Sequence, residues 1–268
     1  MIHRVLCAIS VVMMASTSIA EEMKLAVTTS FENSGLSDVL LPAIKEDLDL
    51  DVQLLVVGTG QALRLGEAGD VDAILVHSRS AEEAFVADGY GTHRREIMYN
   101  DFVMIGPSDD PAAIGNAASA VEALQNIATT EPAFVSRGDD SGTHKKELAL
   151  WRDAGFDAET FGDWYREVGA GMGASLNTSA GLGAYILADR ASWLNFGNKA
   201  DLALLYAGDP VLFNQYAFLP VNAEKHAHIR NDLAMALEGW LTGPRAADLI
   251  NGYMINGETL FTFNAQPK

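Results

Sequence analysis

Three apolar segments of this chain each end in a short loop rich in serine, threonine or glycine, and each loop precedes a helix-like pattern. The loops cover residues 28–30, 58–60 and 137–143. This alternation constrains the fold most, because strands that alternate with helices form a largely parallel sheet whose loops collect at one edge. We therefore predict an α/β fold in which several helix starts surround one cleft.

The third loop has the highest density of hydrogen-bond donors. Ser141, Gly142 and Thr143 occupy the predicted first turn of a helix, where backbone N–H groups lack intrahelical partners. Arg137 adds a planar fork of donors that suits an anion with several oxygens. A purely structural alternative makes Ser141 an N-cap and pairs Arg137 with Asp139 or Asp140 at the surface. The two upstream loops of similar chemistry favour an anion site.

The upstream loops supply further candidate ligand-binding residues. The glycines of the second loop would let the backbone approach a ligand closely. The candidates are Thr28, Thr29, Ser30, Thr59 and Gly60.

Later parts of the chain give weaker signals. His77 follows a buried strand, and we expect it to be satisfied by a neighbouring backbone group rather than to face the ligand. The polar run from Asn177 to Ser179 predicts a helix start, with the helix continuing through Leu187. The apolar periodicity predicts another helix over residues 224–241.

The region of residues 96–106 predicts a connection between two lobes. Two apolar runs flank the polar pair Asn100 and Asp101, and residues 214–220 form a similar return segment. We predict that lobe I comprises residues 21–101 and 215–268 and that lobe II comprises residues 102–214.

The first twenty residues have the pattern of a signal peptide. A weakly basic start precedes an apolar run, and small residues lead to a predicted cleavage after Ala20. Cys7, the only cysteine, lies in this segment. We expect export to the periplasm as a monomer that forms no disulfide.

The formal net charge of −18 limits the choice of partners. A strongly acidic surface excludes nucleic acid and anionic lipid as expected ligands. It also opposes long-range attraction of a small oxyanion, so the attraction must come from local donors in a cleft.

The motifs in residues 27–30, 57–63, 98–102 and 136–146 resemble those of the tungstate-binding proteins of Tup-type ABC transporters, the TupA family. Periplasmic phosphate-binding proteins have a similar clamp and are more distant. Val27 replaces the first threonine of the family's N-terminal motif. The resemblance implies a type II periplasmic binding fold of two lobes that close over a tetrahedral dianion, with a membrane permease as partner. It implies no enzymatic activity, no cofactor and no metal ion other than the oxyanion's own.

Proton content separates the candidate anions. Phosphate retains a proton at neutral pH and needs an acceptor, whereas tungstate, molybdate and sulfate do not. The only carboxylates in the donor loops are Asp139 and Asp140, so we expect a proton-free dianion rather than phosphate. Among such dianions, the family resemblance implies tungstate. The alternatives are a molybdate or phosphate receptor, or an exported serine hydrolase that uses Ser141 and His144.

Overall fold

The structure, a computed structural model, describes residues 21–139 and 141–266. The predicted signal peptide and Asp140 lie outside these ranges. Within them, a sheet of ten strands packs against helices, which confirms the predicted α/β class. No helix in the described chain has the length and apolar character needed to cross a membrane.

The amino-terminal part of the chain alternates strands and helices. Its elements are β1 (Glu21–Thr28), α1 (Thr29–Asn33), α2 (Ser37–Leu48), β2 (Leu50–Val57), α3 (Thr59–Ala68), β3 (Ala73–Val76), α4 (Arg79–Ala87) and β4 (Arg95–Pro107). The middle part comprises α5 (Ala120–Thr130), β5 (Phe134–Ser136), α6 (Gly142–Asp153), β6 (Tyr165–Glu167), α7 (Met172–Leu182), β7 (Tyr185–Asp189), α8 (Arg190–Asn195) and β8 (Leu202–Tyr206). The chain ends with β9 (Phe213–Pro220), α9 (Asn231–Leu241), α10 (Pro244–Gly252), β10 (Met254–Ile255), β11 (Glu258–Thr259) and β12 (Thr262–Phe263).

Parallel pairing brings the upstream loops to one edge of the sheet. β1 lies between β2 and β3, with Thr28 opposite Val57 and Val27 opposite Leu75. All four residues of β3 are buried, because the strand has neighbours on both sides and helices pack on the sheet. The chain therefore leaves β1, β2 and β3 at adjacent positions.

The thirteen-residue strand β4 joins the two parts of the sheet. Its first part pairs with β9 as far as Asp101, and from Phe102 onward it pairs with β7. Asn100 lies opposite Asn214, and the Asn214 side-chain amide donates to Asn100 Oδ1 at 2.9 Å. The polar pair that we expected between two apolar runs thus lies inside one continuous strand, where Asn100 Oδ1 accepts from Asn214 and Asp101 accepts from Arg190. Among the described residues, the Asn100 side-chain nitrogen is buried without a hydrogen-bond partner.

The predicted helix start at Asn177 is wrong. Asn177 and Thr178 lie inside α7, and their side chains donate to the carbonyls of Gly173 and Ala174, four residues earlier. This bond to the preceding turn lets a typical cap residue remain within a helix. The helix ends before Gly183, whose φ of 60° suits glycine, and residues 185–189 form β7 instead of a continued helix.

One other helix start also differs from the prediction. Helix α9 begins at Asn231 rather than at residue 224, because Asp72 Oδ1 accepts from the Arg230 backbone N–H and fixes the preceding segment as a loop. The histidines of that loop, His226 and His228, bond to backbone carbonyls.

Candidate functional site

A cavity of about 610 Å³ lies between the two parts of the sheet. Thr29 and Ser30 from the first loop line one side, and Arg137 from the third loop lines another. Residues 171–174 at the start of α7 complete part of the wall. The polar side chains of the lining are Thr29, Ser30, Asn33, Arg137, Asp189, Ser192 and Asn195.

A partly buried network of neutral polar groups supports the first loop. Ser30 Oγ lies 3.0 Å from Thr28 Oγ1, 3.0 Å from His77 Nε2 and 3.1 Å from the Tyr216 hydroxyl. Burial lowers the pKa of His77 to about 4, so the imidazole is neutral at physiological pH. His77 therefore helps to hold the first loop in place. Its hydrogen-bond partner is the side chain of Ser30, whereas we expected a neighbouring backbone group.

The third loop packs against His77, at the end of β3, through Gly142. A Cβ atom added at Gly142 would lie 2.8 Å from His77 Cε1, closer than two such atoms approach in proteins. Glycine is required here because the backbone at the start of α6 packs directly on the imidazole. The contact joins α6 to the end of β3.

Arg137 is held by a carboxylate of its own loop. Its Nη2 donates to Asp139 Oδ2 at 2.5 Å, and Ser141 Oγ donates to Asp139 Oδ1 at 2.5 Å. Although burial opposes the effect, the hydrogen bonds from Ser141 and Arg137 lower the pKa of Asp139. Arg137 Nε is buried and has no partner among the described residues. The guanidinium is thus oriented by Asp139 and retains donor capacity.

The start of α7 was missed by sequence reasoning. Gly171 precedes the helix and no side chain caps it, so the first backbone N–H groups of α7 remain available at the cavity wall. A Cβ added at Gly171 or Gly173 would meet nothing within 4 Å. The helix start could have been inferred from Gly171 together with Gly183, because glycine occurs at both helix ends.

Asp189 is a second residue that the sequence did not indicate, and it adds a titratable carboxyl group to the cavity. Its side chain lines the cavity and is only 4% exposed. Burial raises the pKa of Asp189, although hydrogen bonds from Ser192 and the positive charge of Arg137 act in the opposite direction. The site therefore contains a carboxyl group that lies outside the three donor loops.

Several predicted residues lie near the cavity without lining it. Thr59 and Gly60 begin α3 beside the end of β1 but are not in the described lining. Thr28 accepts from the Phe31 backbone N–H and caps α1, and Thr143 is buried in α6. These residues shape the loops that carry the lining side chains.

The arrangement of Ser141 and His144 differs from a nucleophile and its base. The Ser141 hydroxyl donates to Asp139 and accepts from the His144 backbone N–H. His144 Nδ1 accepts from the Gly138 backbone N–H at 3.0 Å and lies 3.2 Å from Ser136 Oγ. Neither side chain activates the other, so the hydrolase alternative has no structural support.

Comparisons with known proteins agree on one family. Residues 15–245 match the model of the PBP superfamily domain. The tungstate-binding protein TupA of Peptoclostridium acidaminophilum is 45% identical over 247 residues, which cover 90% of this chain and 85% of that protein. The tungstate-binding protein TupA of Desulfovibrio alaskensis has a solved structure with a TM-score of 0.87 and 40% identity, covering 92% of this chain and 100% of that one. The crystal structure of the tungstate ABC transporter from Geobacter sulfurreducens gives a TM-score of 0.78 and 48% identity. The match covers 87% of this chain and 99% of that one.

We expect Arg137→Ala to weaken oxyanion binding by at least about 100-fold, equivalent to about 3 kcal/mol, because it removes a fixed charge from a desolvated site. Arg137→Lys should recover only part of the affinity, since a lysine keeps the charge but lacks the planar fork. Calorimetric titration with tungstate measures both variants. A loss smaller than twofold in Arg137→Ala would place Arg137 outside the site.

Gly173→Ala should weaken oxyanion binding at least tenfold without harming the fold. The added methyl group meets no protein atom and improves helix propensity, but it projects from the first turn at the cavity wall. Gly181→Ala is the matched control, because Gly181 lies in the last turn of the same helix and is also unobstructed. Titration and thermal unfolding of both variants test this: equal affinities would show that the start of α7 does not approach the anion.

Proposed function

This chain belongs to the TupA family of tungstate-binding proteins within the PBP superfamily, and from this premise we propose that it captures tungstate in the cleft and delivers it to the permease of an ABC transporter. The family consists of solute-binding proteins, not enzymes. The observation that carries the proposal is the single cavity that Thr29, Ser30 and Arg137 line together.

The donors suit a compact dianion with four acceptor oxygens. Arg137 is largely balanced by Asp139, so its formal charge alone does not compensate the ligand. The starts of α3, α6 and α7 each provide a partial charge of about +0.5, and these effects decline within one turn. Hydroxyl and backbone N–H groups then supply directional hydrogen bonds.

Two roles divide the proposed site residues. Thr29, Ser30 and Arg137 are proposed to contact the anion directly, as are backbone N–H groups at the starts of α6 and α7. The other proposed site residues of the donor loops hold these loops in position; they are Thr28, Thr59, Gly60, Ser141, Gly142 and Thr143.

The proposed lobes comprise residues 21–101 with 215–268, and residues 102–214. The change of strand partner between Asp101 and Phe102 in β4 supports this boundary. Bending of β4 and β9 would let the lobes approach each other over the anion. We place the protein in the periplasm as a monomer after cleavage behind Ala20.

Tungstate should show saturable binding, and molybdate should bind equally well or more weakly. Sulfate and phosphate should produce no comparable heat. Size and charge density of the anion determine this order, and all four are compared by calorimetric titration in one phosphate-free buffer. Preference for phosphate would reassign the ligand. Absence of binding to any of the four by the folded protein would refute the oxyanion receptor.

A further inference from the structure

The cavity contains a carboxyl group where a bare dianion is proposed to bind. Asp189 is at the end of β7, immediately before α8, and its side chain lines the same cavity as Ser30 and Arg137. At 4% exposure, it is shielded from water that could weaken electrostatic repulsion. An ionised Asp189 and a dianion bound in the same cavity would repel each other strongly.

The groups around Asp189 do not remove this repulsion. Oδ1 accepts from the Ser192 backbone N–H at 2.8 Å, which caps α8. Arg137 of the third loop interacts electrostatically with Asp189, but it forms an ion pair with Asp139 at 2.5 Å. The neighbouring Arg190 is occupied by Asp101, to which it donates two hydrogen bonds of 2.6 Å.

Two further titratable groups of the described chain that lie near Asp189 carry no positive charge. Tyr216 on β9 interacts electrostatically with Asp189, and burial together with that carboxyl raises the pKa of its hydroxyl, which stays protonated. His77, which packs on Tyr216, is neutral at physiological pH. Arg137, the cation that interacts with Asp189, is thus already paired with Asp139, and a bound dianion needs another source of positive compensation.

We propose that Asp189 is a ligand-binding residue that is protonated in the complex and donates its hydrogen to an oxygen of the tetrahedral dianion. The proton comes from solvent, so binding of the anion takes up a proton. This proposal rests on the proposed oxyanion function and specifies its chemistry. It turns a repulsive carboxylate into a donor, and it favours anions that arrive without a proton of their own.

The direction of the pH effect follows from linkage. Burial already raises the pKa of Asp189 in the free protein, and a bound dianion raises it further. Because the complex holds more protons than the free protein, affinity decreases as pH rises above the free-state pKa, by up to about tenfold per pH unit. Below that pKa the carboxyl is already protonated, and the effect disappears.

The test is titration of the protein with sodium tungstate between pH 7 and 9, in buffers that differ in their enthalpy of ionisation. The slope of observed enthalpy against buffer enthalpy gives the number of protons taken up. We expect uptake that approaches one proton as pH rises, together with the loss of affinity. Tungstate binding with no proton uptake across this range would overturn the inference and leave the oxyanion function intact.

Asp189→Asn provides the matched variant. The amide retains an acceptor for the Ser192 N–H, asparagine is as good a cap as aspartate, and its NH₂ group donates without titrating. We expect this variant to bind tungstate with less than twofold change in affinity from pH 7 to 9 and with no proton uptake. Uptake equal to that of the unmodified protein would assign the proton elsewhere and overturn the proposal.

Asp139→Asn distinguishes the two carboxyl groups near Arg137. Hydrogen bonds keep Asp139 ionised, so its replacement should leave the number of protons taken up unchanged, whatever happens to affinity. Loss of uptake in this variant alone would transfer the role to Asp139 and refute the assignment to Asp189. Failure of the unmodified protein to bind tungstate would refute the proposed function and this inference with it.

Discussion

The decisive constraint is the electrostatic cost of holding a dianion inside an acidic protein. The chain has a formal net charge of −18, and the guanidinium in the proposed site is paired with Asp139. Compensation must therefore come from oriented dipoles at short range, which helix starts and hydroxyl groups provide. Such groups lose little on binding because the fold has already oriented them. This requirement explains why strand ends, helix starts and glycines converge at one place.

The sheet supplies that convergence from two directions. Parallel pairing of β1 with β2 and β3 brings their ends together, while β4 passes from this part of the sheet to the part that holds Arg137 and α7. Gly142 on His77 closes the contact between the two. The cleft thus depends on a few close approaches, and the crossing strand keeps them aligned through the buried pair of Asn100 and Asn214.

Local patterns in the sequence were sufficient for the fold class, for β3 and for the helix start at Gly142, because apolar period and glycine position express local preferences. They failed where tertiary contacts decide. Asn177 has the chemistry of a cap, but its side chain bonds to the preceding turn. The sequence therefore did not predict the helix start that Gly171 caps. Asp189 lies some fifty residues from Arg137, so only the folded chain shows that a carboxyl group shares the cavity. The protonation state of Asp189 determines whether a bound anion meets a negative or a neutral carboxyl group in the cavity.

The most direct measurement is a crystal structure of the protein with tungstate, in which anomalous scattering locates tungsten. We predict one strong peak in the cavity, with anion oxygens within about 3 Å of Ser30 Oγ, the Arg137 guanidinium and the first N–H groups of α7. A peak elsewhere on the molecule, or an anion without contact to Arg137, would contradict the account of how the loops form the site.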